Sequence, residues 1–298
     1  IDAITDNGVP GVLSPANLIP NPIVITIHPT PDVTFTTTTP EICFGQPAIL
    51  EFGFLVGTAP FDVDYTINTN AQTPLSFNAS GTQAYTLTPD PAVGVNTYNM
   101  IQVTDANGCQ SVINATLPVD IIVNPTPVLD IAVSGTNPIC VGQTSALFFP
   151  VTSGTPPYNL SYLAGTTSST ANVDAVGNIV STGTTQPISP IITTTYTLVS
   201  VTDAKGCVNA LSDSDQLVVN DLPLVDISGT TEICEQDVTQ LYFNFTAGNG
   251  DWYVYYNVNG TPNPTPFNSS NSPDSIAVSP TITTVYTVTS VSDINCSS

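Results

Sequence analysis

Apolar and polar residues alternate along this chain in short runs that end abruptly. The runs "VLDIAV" from Val128, "SALFFPVT" from Ser145, "YNLSYL" from Tyr158, "TTYTLVSV" from Thr194 and "DQLVV" from Asp215 show this best. Each is rich in Thr, Val, Ile or Tyr and is bounded by Gly, Pro, Asn or Asp, which predicts short β-strands with one face buried. No stretch carries a helical period with caps, and the 27 prolines oppose helices. An all-β chain is expected.

The alternation slips once per repeat, at corresponding places. Apolar positions fall at Tyr98 and Met100 and then at Val103. They recur at Tyr196, Leu198 and Val201, and at Tyr286, Val288 and Val291. One extra residue in the strand, a β-bulge, explains each slip. The leading tyrosine fits either a tyrosine corner, with its hydroxyl on a backbone group, or an ordinary core position.

Three segments align: "VITIHPTPDVTF" from Val24, "DIIVNPTPVLDI" from Asp120 and "QLVVNDLPLVDI" from Gln216. His28, Asn124 and Asn220 are then equivalent, at a spacing of roughly 96 residues, which suits one immunoglobulin-sized sandwich of about 100 residues. A second motif follows each: "EICFGQ" at Glu41, "PICVGQ" at Pro138 and "EICEQD" at Glu232. A third closes each: "VTDANGC" ending at Cys109, "VTDAKGC" at Cys207 and "VSDINC" at Cys296. The expected fold class is tandem immunoglobulin-like β-sandwich domains with one disulfide per domain. The expected domains are 30–126, 127–222 and 223–298, the last without its final strand. Residues 1–29 read as the closing strands of a preceding or permuted unit, with "ITDNG" matching "VTDANG". Two arrangements fit these ends. The chain is a window on a longer array, or residues 11–28 complete the third unit of a neighbouring copy by β-strand donation.

Composition sharpens the class. Hydrophobic residues make up 41% of the chain, enough to build cores. Charged residues make up 8%, against about 25% in ordinary soluble proteins, so Thr, Ser, Asn and Gln must cover the surface. Lys205 is the one cation, against 23 carboxylates, and the net charge is −22. Such a charge repels phosphate backbones and anionic lipids, so neither nucleic acid nor an anionic membrane is an expected partner. No apolar run approaches the ~18 residues needed to span a bilayer, so membrane insertion is not expected.

The six cysteines sit two to a repeat. Pairing within each unit predicts Cys43–Cys109, Cys140–Cys207 and Cys234–Cys296, each bridge near one pole of its sandwich. Zinc needs tighter clusters than these, and disulfides imply an oxidising compartment.

Catalytic chemistry finds little support. His28 occupies the linker position held by Asn124 and Asn220, and no GxGxxG, P-loop or HExxH pattern occurs. Asp62 and Asp64 share a strand face, which reads as solvated rather than as a hydrolytic carboxylate pair. No catalytic residue and no obligate cofactor are expected. Asp105, Asp203 and Asp293 precede the closing cysteines and suit a turn, whose backbone amides an Asp side chain accepts. Asp105 and Asp203 also suit Ca²⁺ at domain junctions, with Asp130 or Asp226 of the following repeat. In repeat 3, Trp252 and Tyr256 share one strand face and are the candidate stacking platform for a sugar. Asp274-Ser275-Ile276 resembles a bacterial O-glycosylation site at Ser275.

Taken together, "ICxGQ", "GTAPFDVDY" or "GTPPYNLSY", and "TTTYTLVSVTDAKGC" resemble the PKD-like and Ig-like repeats of giant surface proteins of Bacteroidota, a group that includes gliding-motility adhesins. The likeness covers residues 30–298, and repeat 3 departs from it with "EQD" and "DINC". It implies secretion by the type IX route and attachment at the cell surface. The expected function is structural and non-enzymatic: the shaft of an extracellular adhesin or filament, with neighbouring repeats or further copies as partners. The rivals are a glycan-binding module centred on repeat 3, a strand-donating fibre subunit, and an accessory region of a secreted hydrolase.

Overall fold

A computed structural model describes residues 23–87, 93–112, 118–180 and 183–298, together with a two-residue pairing of Thr5–Asp6 with Val9–Pro10. Of the expected closing strands within 1–29, the described residues include the Thr5–Asp6 and Val9–Pro10 pairing and residues 23–29; the rest, with most of the expected donor segment 11–28, lies outside them. Contacts divide the chain into two compact units. One comprises Ile1–Pro40, Pro47–Pro89 and Val95–Ile121; the other comprises Glu41–Gln46, Asp90–Gly94 and Ile122–Ser298.

The first unit is a two-sheet sandwich. Asp32–Thr37, Ala48–Val56 and Gly81–Leu87 form one antiparallel sheet. In the other, Phe61–Ile67 pairs with Leu75–Phe77, Asn70–Ala71 and the long strand Gly94–Thr104. Alternation sends Phe52, Phe54, Phe61 and Val63 inward, and the Phe54 and Phe61 rings stack at 4.3 Å. Asp62 and Asp64 point away from that core, as the solvated reading expects.

The second unit holds two further sandwiches with separate cores. In repeat 2, Tyr158–Ala164 lies between Thr167–Val173 and Thr194–Thr202, and the latter also pairs with Val208–Ala210 and Ser214–Leu217. The facing sheet is Ala132–Val133, Ser145–Phe148 and Gln186–Ile188. Leu147, Phe149, Tyr158, Leu160, Leu198 and Val201 form the centre of its core. In repeat 3, Leu224–Gly229, Thr239–Ala247 and Asp274–Val278 face Trp252–Val258, Phe267–Ser269 and Tyr286–Ser292, around Phe243, Val254 and Tyr256. The chain is thus all-β, built of tandem immunoglobulin-like sandwiches.

The register slips are bulges. Pairing shifts between Met100 and Gln102, between Leu198 and Ser200, and between Val288 and Ser290. The extra residue turns outward: Ile101 and Val199 are exposed, while Met100, Val103, Leu198 and Val201 are buried. Tyr196 lies in the core beside Tyr162, and burial pushes its hydroxyl pKa up.

Three glycines lock each sandwich onto its leading linker. Gly57, Gly154 and Gly248 have φ of 110°, 106° and 96°, which L side chains rarely adopt. A Cβ on Gly154 would stand 2.8 Å from Pro127 Cα, and one on Gly248 would stand 2.9 Å from Pro223 Cβ. Pro31 fills the same place against Gly57.

A candidate inter-repeat staple

The opening motif makes a tight turn after a short strand. Cys43 N–H donates to Gln46 Oε1 at 3.1 Å, and Gln46 N–H returns to the Cys43 carbonyl at 2.9 Å. Cys140 and Gln143 repeat this at 2.9 and 3.0 Å. In repeat 3, Asp237 stands in for the glutamine, accepting from Cys234 N–H at 3.2 Å. Gln236 there takes φ of 72°, the region held elsewhere by Gly45 and Gly142. The departure "EQD" therefore keeps the turn with less suitable residues.

The strand before this turn runs parallel to the last strand of its own repeat. Ile139 and Cys140 pair with Val219 and Asn220; Glu41, Ile42 and Cys43 pair with Ile122, Val123 and Asn124. Parallel pairing carries each opening cysteine to the pole where the chain leaves for the next repeat.

The closing cysteine sits at the opposite pole, in the hairpin after the bulged strand. Asp203 organises that hairpin. Its Oδ1 accepts from Lys205 N–H at 2.9 Å and Cys207 N–H at 3.0 Å, and its Oδ2 accepts from Thr155 N–H at 3.0 Å. Asp105 does the same with Asn107, Cys109 and Thr58, and Asp293 with Asn295, Cys296 and Asn249. Burial works against ionisation of Asp105 and Asp293, but these backbone donors outweigh it and hold both carboxyls below the usual range.

The disulfides follow from the poles. Cys43 bonds Cys207 and Cys140 bonds Cys296, with Cα atoms 5.5 and 5.8 Å apart. This overturns the expected Cys43–Cys109, Cys140–Cys207 and Cys234–Cys296 and the expectation of one bridge within each domain. In repeat 2, Cys140 lies beside Asn220 at the end where the strand Thr194–Thr202 begins, whereas Cys207 closes the hairpin at the end where that strand finishes, so its two cysteines stand at opposite ends of the sandwich. Each bridge instead joins the opening cysteine of one repeat to the closing cysteine of the next. Cys109 and Cys234 are left as thiols.

Polar contacts surround the first bridge. Lys205 Nζ lies 2.7 Å from Glu41 Oε1, and Asn124 Nδ2 donates to the same oxygen at 2.9 Å. The Lys205 contact, then Asn124, holds the Glu41 carboxyl below its ordinary value. Both members of the ion pair are about two-fifths exposed, so salt screens the pair and it sets orientation more than stability. Sequence reasoning missed Glu41, Gln46, Asn124 and Gln143 as parts of this site. The glutamine three residues after each opening cysteine was the available signal.

The other expected sites fare differently. Tyr256 is buried in the repeat 3 core, and Trp252 lies flat on Phe245 with ring centroids 4.4 Å apart. The stacking platform is thus corrected: the face of Trp252 and Tyr256 packs inward, and Tyr253 and Tyr255 are the exposed rings. The expected Ca²⁺ ligands are Asp105, Asp130, Asp203 and Asp226. Asp105 and Asp203 direct their oxygens to backbone amides, Asp130 and Asp226 are exposed, and no metal-holding group of three or more His, Cys, Asp or Glu occurs among the described residues. Ser275 is half-buried on the strand Asp274–Val278, opposite Tyr242. His28 is exposed, and its carbonyl faces Cys109 Sγ at 3.8 Å.

No family model matches the chain, and no curated protein does. Among solved structures, it is similar to a marsupial T cell receptor at 10% identity and a TM-score of 0.43, over 87% of this chain and 99% of that one. It is also similar to the complex of Dpr2 Ig1-Ig2 with DIP-Theta Ig1-Ig3, at 10% identity and 0.36 over 91% and 97% of the two chains. A third likeness is to the fibronectin(III)-like modules of Clostridium thermocellum CbhA, at 10% and 0.30 over 64% and 95%. At these scores none of them informs function. No helix among the described residues is long and apolar enough to cross a membrane.

Proposed function

We propose that this chain is a non-enzymatic stretch of shaft from an extracellular, cell-surface adhesin or filament, built to carry tension. The observation behind this reading is the pair of overlapping bridges, Cys43–Cys207 and Cys140–Cys296, each of which ties one repeat to the next. A disulfide inside one domain protects that domain alone. A bridge between repeats gives the backbone a covalent bypass around the linker, so pulling on the ends loads the bridge before the sandwich cores. Such bridges persist in an oxidising compartment, in keeping with the surface location implied by the repeat motifs. The near absence of lysine and arginine also leaves little for trypsin-like proteases to cut.

Single-molecule extension of the 298-residue chain tests this. With both bridges closed, the shortest covalent path from Cys43 to Cys296 crosses one bridge, follows residues 207 to 140 and crosses the other, roughly 67 residues (207 − 140) at about 3.4 Å each. With both reduced, the path is roughly 253 residues (296 − 43). Full extension should therefore grow by about 60 nm on adding reductant. An extension that ignores reductant would remove the basis of the reading.

A further inference from the structure

The single lysine of this chain stands where an amine can react. Lys205 is the only side-chain cation among 298 residues, and its Nζ lies 2.7 Å from Glu41 Oε1. Asn124 Nδ2 donates to the same oxygen at 2.9 Å. One carboxylate oxygen therefore touches both an amine and the nitrogen of a carboxamide. That is the placement a general base needs to move a proton from a nucleophile to a leaving group.

The fold fixes all three side chains. Glu41 and Lys205 each lie two residues before a cysteine of the Cys43–Cys207 bridge. Asn124 is the register partner of Cys43, and its carbonyl accepts from Phe44 N–H at 2.8 Å. Lys205 N–H donates to Asp203 Oδ1 at 2.9 Å, which holds the hairpin that carries the amine. Asn124 is buried, while the side chains of Lys205 and Glu41 are open enough for a small product to leave. Groups held together in this way react as parts of one molecule, with effective molarities on the order of 10⁵ M when well oriented.

The second staple provides an internal comparison. There Pro138 stands in place of Glu41, Asn220 in place of Asn124 and Asn295 in place of Lys205, and the Cys140–Cys296 bridge closes all the same. The bridge therefore needs neither the amine nor the carboxylate. An ion pair this exposed also adds little stability.

The geometry points to an amide bond between Lys205 Nζ and Asn124 Cγ, formed with loss of ammonia and with Glu41 as the proton carrier. Glu41, kept ionised by its contacts with Lys205 and Asn124, takes a proton from the Lys205 ammonium. The free amine attacks Asn124 Cγ; the Nζ–Cγ bond forms and an electron pair moves to Oδ1. Glu41 hands its proton to Nδ2, the pair returns from Oδ1, the Cγ–Nδ2 bond breaks and ammonia leaves. Glu41 then takes the surplus proton from Nζ and passes it to the ammonia. An ammonium and a carboxamide thus become a secondary amide and an ammonium ion, and nothing is oxidised or reduced. The product is a second covalent tie beside Cys43–Cys207, one that reductant cannot open. The bond needs only this local geometry; its use under tension rests on the shaft reading.

The test is the intact mass of the 298-residue chain after full reduction, followed by peptide mapping. A deficit of about 17 Da, the mass of the ammonia lost, is expected, with the peptides of Asn124 and Lys205 recovered as one cross-linked species. Lys205→Arg keeps the charge without a primary amine, and Glu41→Ala removes the proton carrier; each should restore the full mass. Cys43–Cys207 in their unreduced digests reports that the site has folded. A native chain of full mass, a deficit of about 18 Da mapping to a Lys205–Glu41 amide, or a deficit of about 17 Da that persists in Lys205→Arg would each overturn the inference. Single-molecule extension separates this outcome from the shaft reading. After reduction the linked chain should stop short of Lys205→Arg by roughly 81 residues (205 − 124), about 28 nm at about 3.4 Å each, and the full growth of about 60 nm belongs to the unlinked chain. Equal lengths in two chains that both grow on reduction defeat the inference alone, and growth in neither defeats the shaft reading.

Discussion

Replacing Cys296 by serine should destabilise repeat 3, and the size of the loss follows from where Cys140 sits. Cys140 pairs with Asn220 at the start of the linker into repeat 3. When repeat 3 unfolds while repeat 2 stays folded, the bridge therefore closes a loop from about residue 220 to residue 296, roughly 76 residues. Loop-closure entropy for that length is about 15 cal/mol/K, or about 4.5 kcal/mol at 25 °C, as a ceiling; measured bridges typically give about 2–4 kcal/mol. For a domain of this size each kcal/mol moves the melting temperature by about 4–8 °C, so the repeat 3 transition should fall by roughly 10–30 °C. Differential scanning calorimetry of Cys296→Ser, Cys140→Ser and Cys234→Ser at low protein concentration checks this. The first two should lower the repeat 3 transition equally and the third should leave it in place. Pairing within repeats demands the opposite, because Cys234 would then be the partner of Cys296. If Cys234→Ser cost as much as Cys296→Ser while Cys140→Ser cost nothing, the staple would be wrong.

Gly154→Ala should cost about 1–3 kcal/mol in urea unfolding, because the new Cβ meets Pro127 and φ is 106°. The neighbouring turn position Gly165, whose Cβ would meet nothing, should cost less when replaced by alanine. Acid should unfold the sandwiches from their hairpins. Asp105 and Asp293 have carboxyls depressed below the ordinary 3.8, so their contribution is complete above that value and is lost as pH falls through their folded values. Urea midpoints from pH 6 to pH 2 should fall steeply below about pH 4, and Asp293→Asn should flatten that slope for repeat 3. Tyr256→Ala should cost about 3–5 kcal/mol by leaving a core cavity. Tyr253→Ala, at an exposed ring, should change thermal stability little.

Much of this molecule was legible along the chain because it is local. A bulge shows as a slipped period, so Met100 to Val103, Leu198 to Val201 and Val288 to Val291 could be placed before any fold was known. The Asp before each closing cysteine announced a turn, since its Oδ1 reaches amides two to four residues away; the amides of Thr58, Thr155 and Asn249 on its Oδ2 come from distant loops and left no local sign. The sugar platform failed for a related reason. Alternation separates Trp252 and Tyr256 from Tyr253 and Tyr255, but it does not say which face the second sheet covers, and Phe245 and Phe243 decide that from another strand.

Strand content, the period near 96 residues and the equivalence of the six cysteines were properties of the sequence alone, because each depends on residues within a few positions or on simple recurrence. Which sulfur meets which was decided only in three dimensions. The opening strand runs parallel to a strand some eighty residues later, and that pairing carries Cys43 and Cys140 to the far pole of their repeats. Parallel pairing between distant segments leaves no local mark, so the same six cysteines fit pairing within repeats or between them until the fold separates the poles.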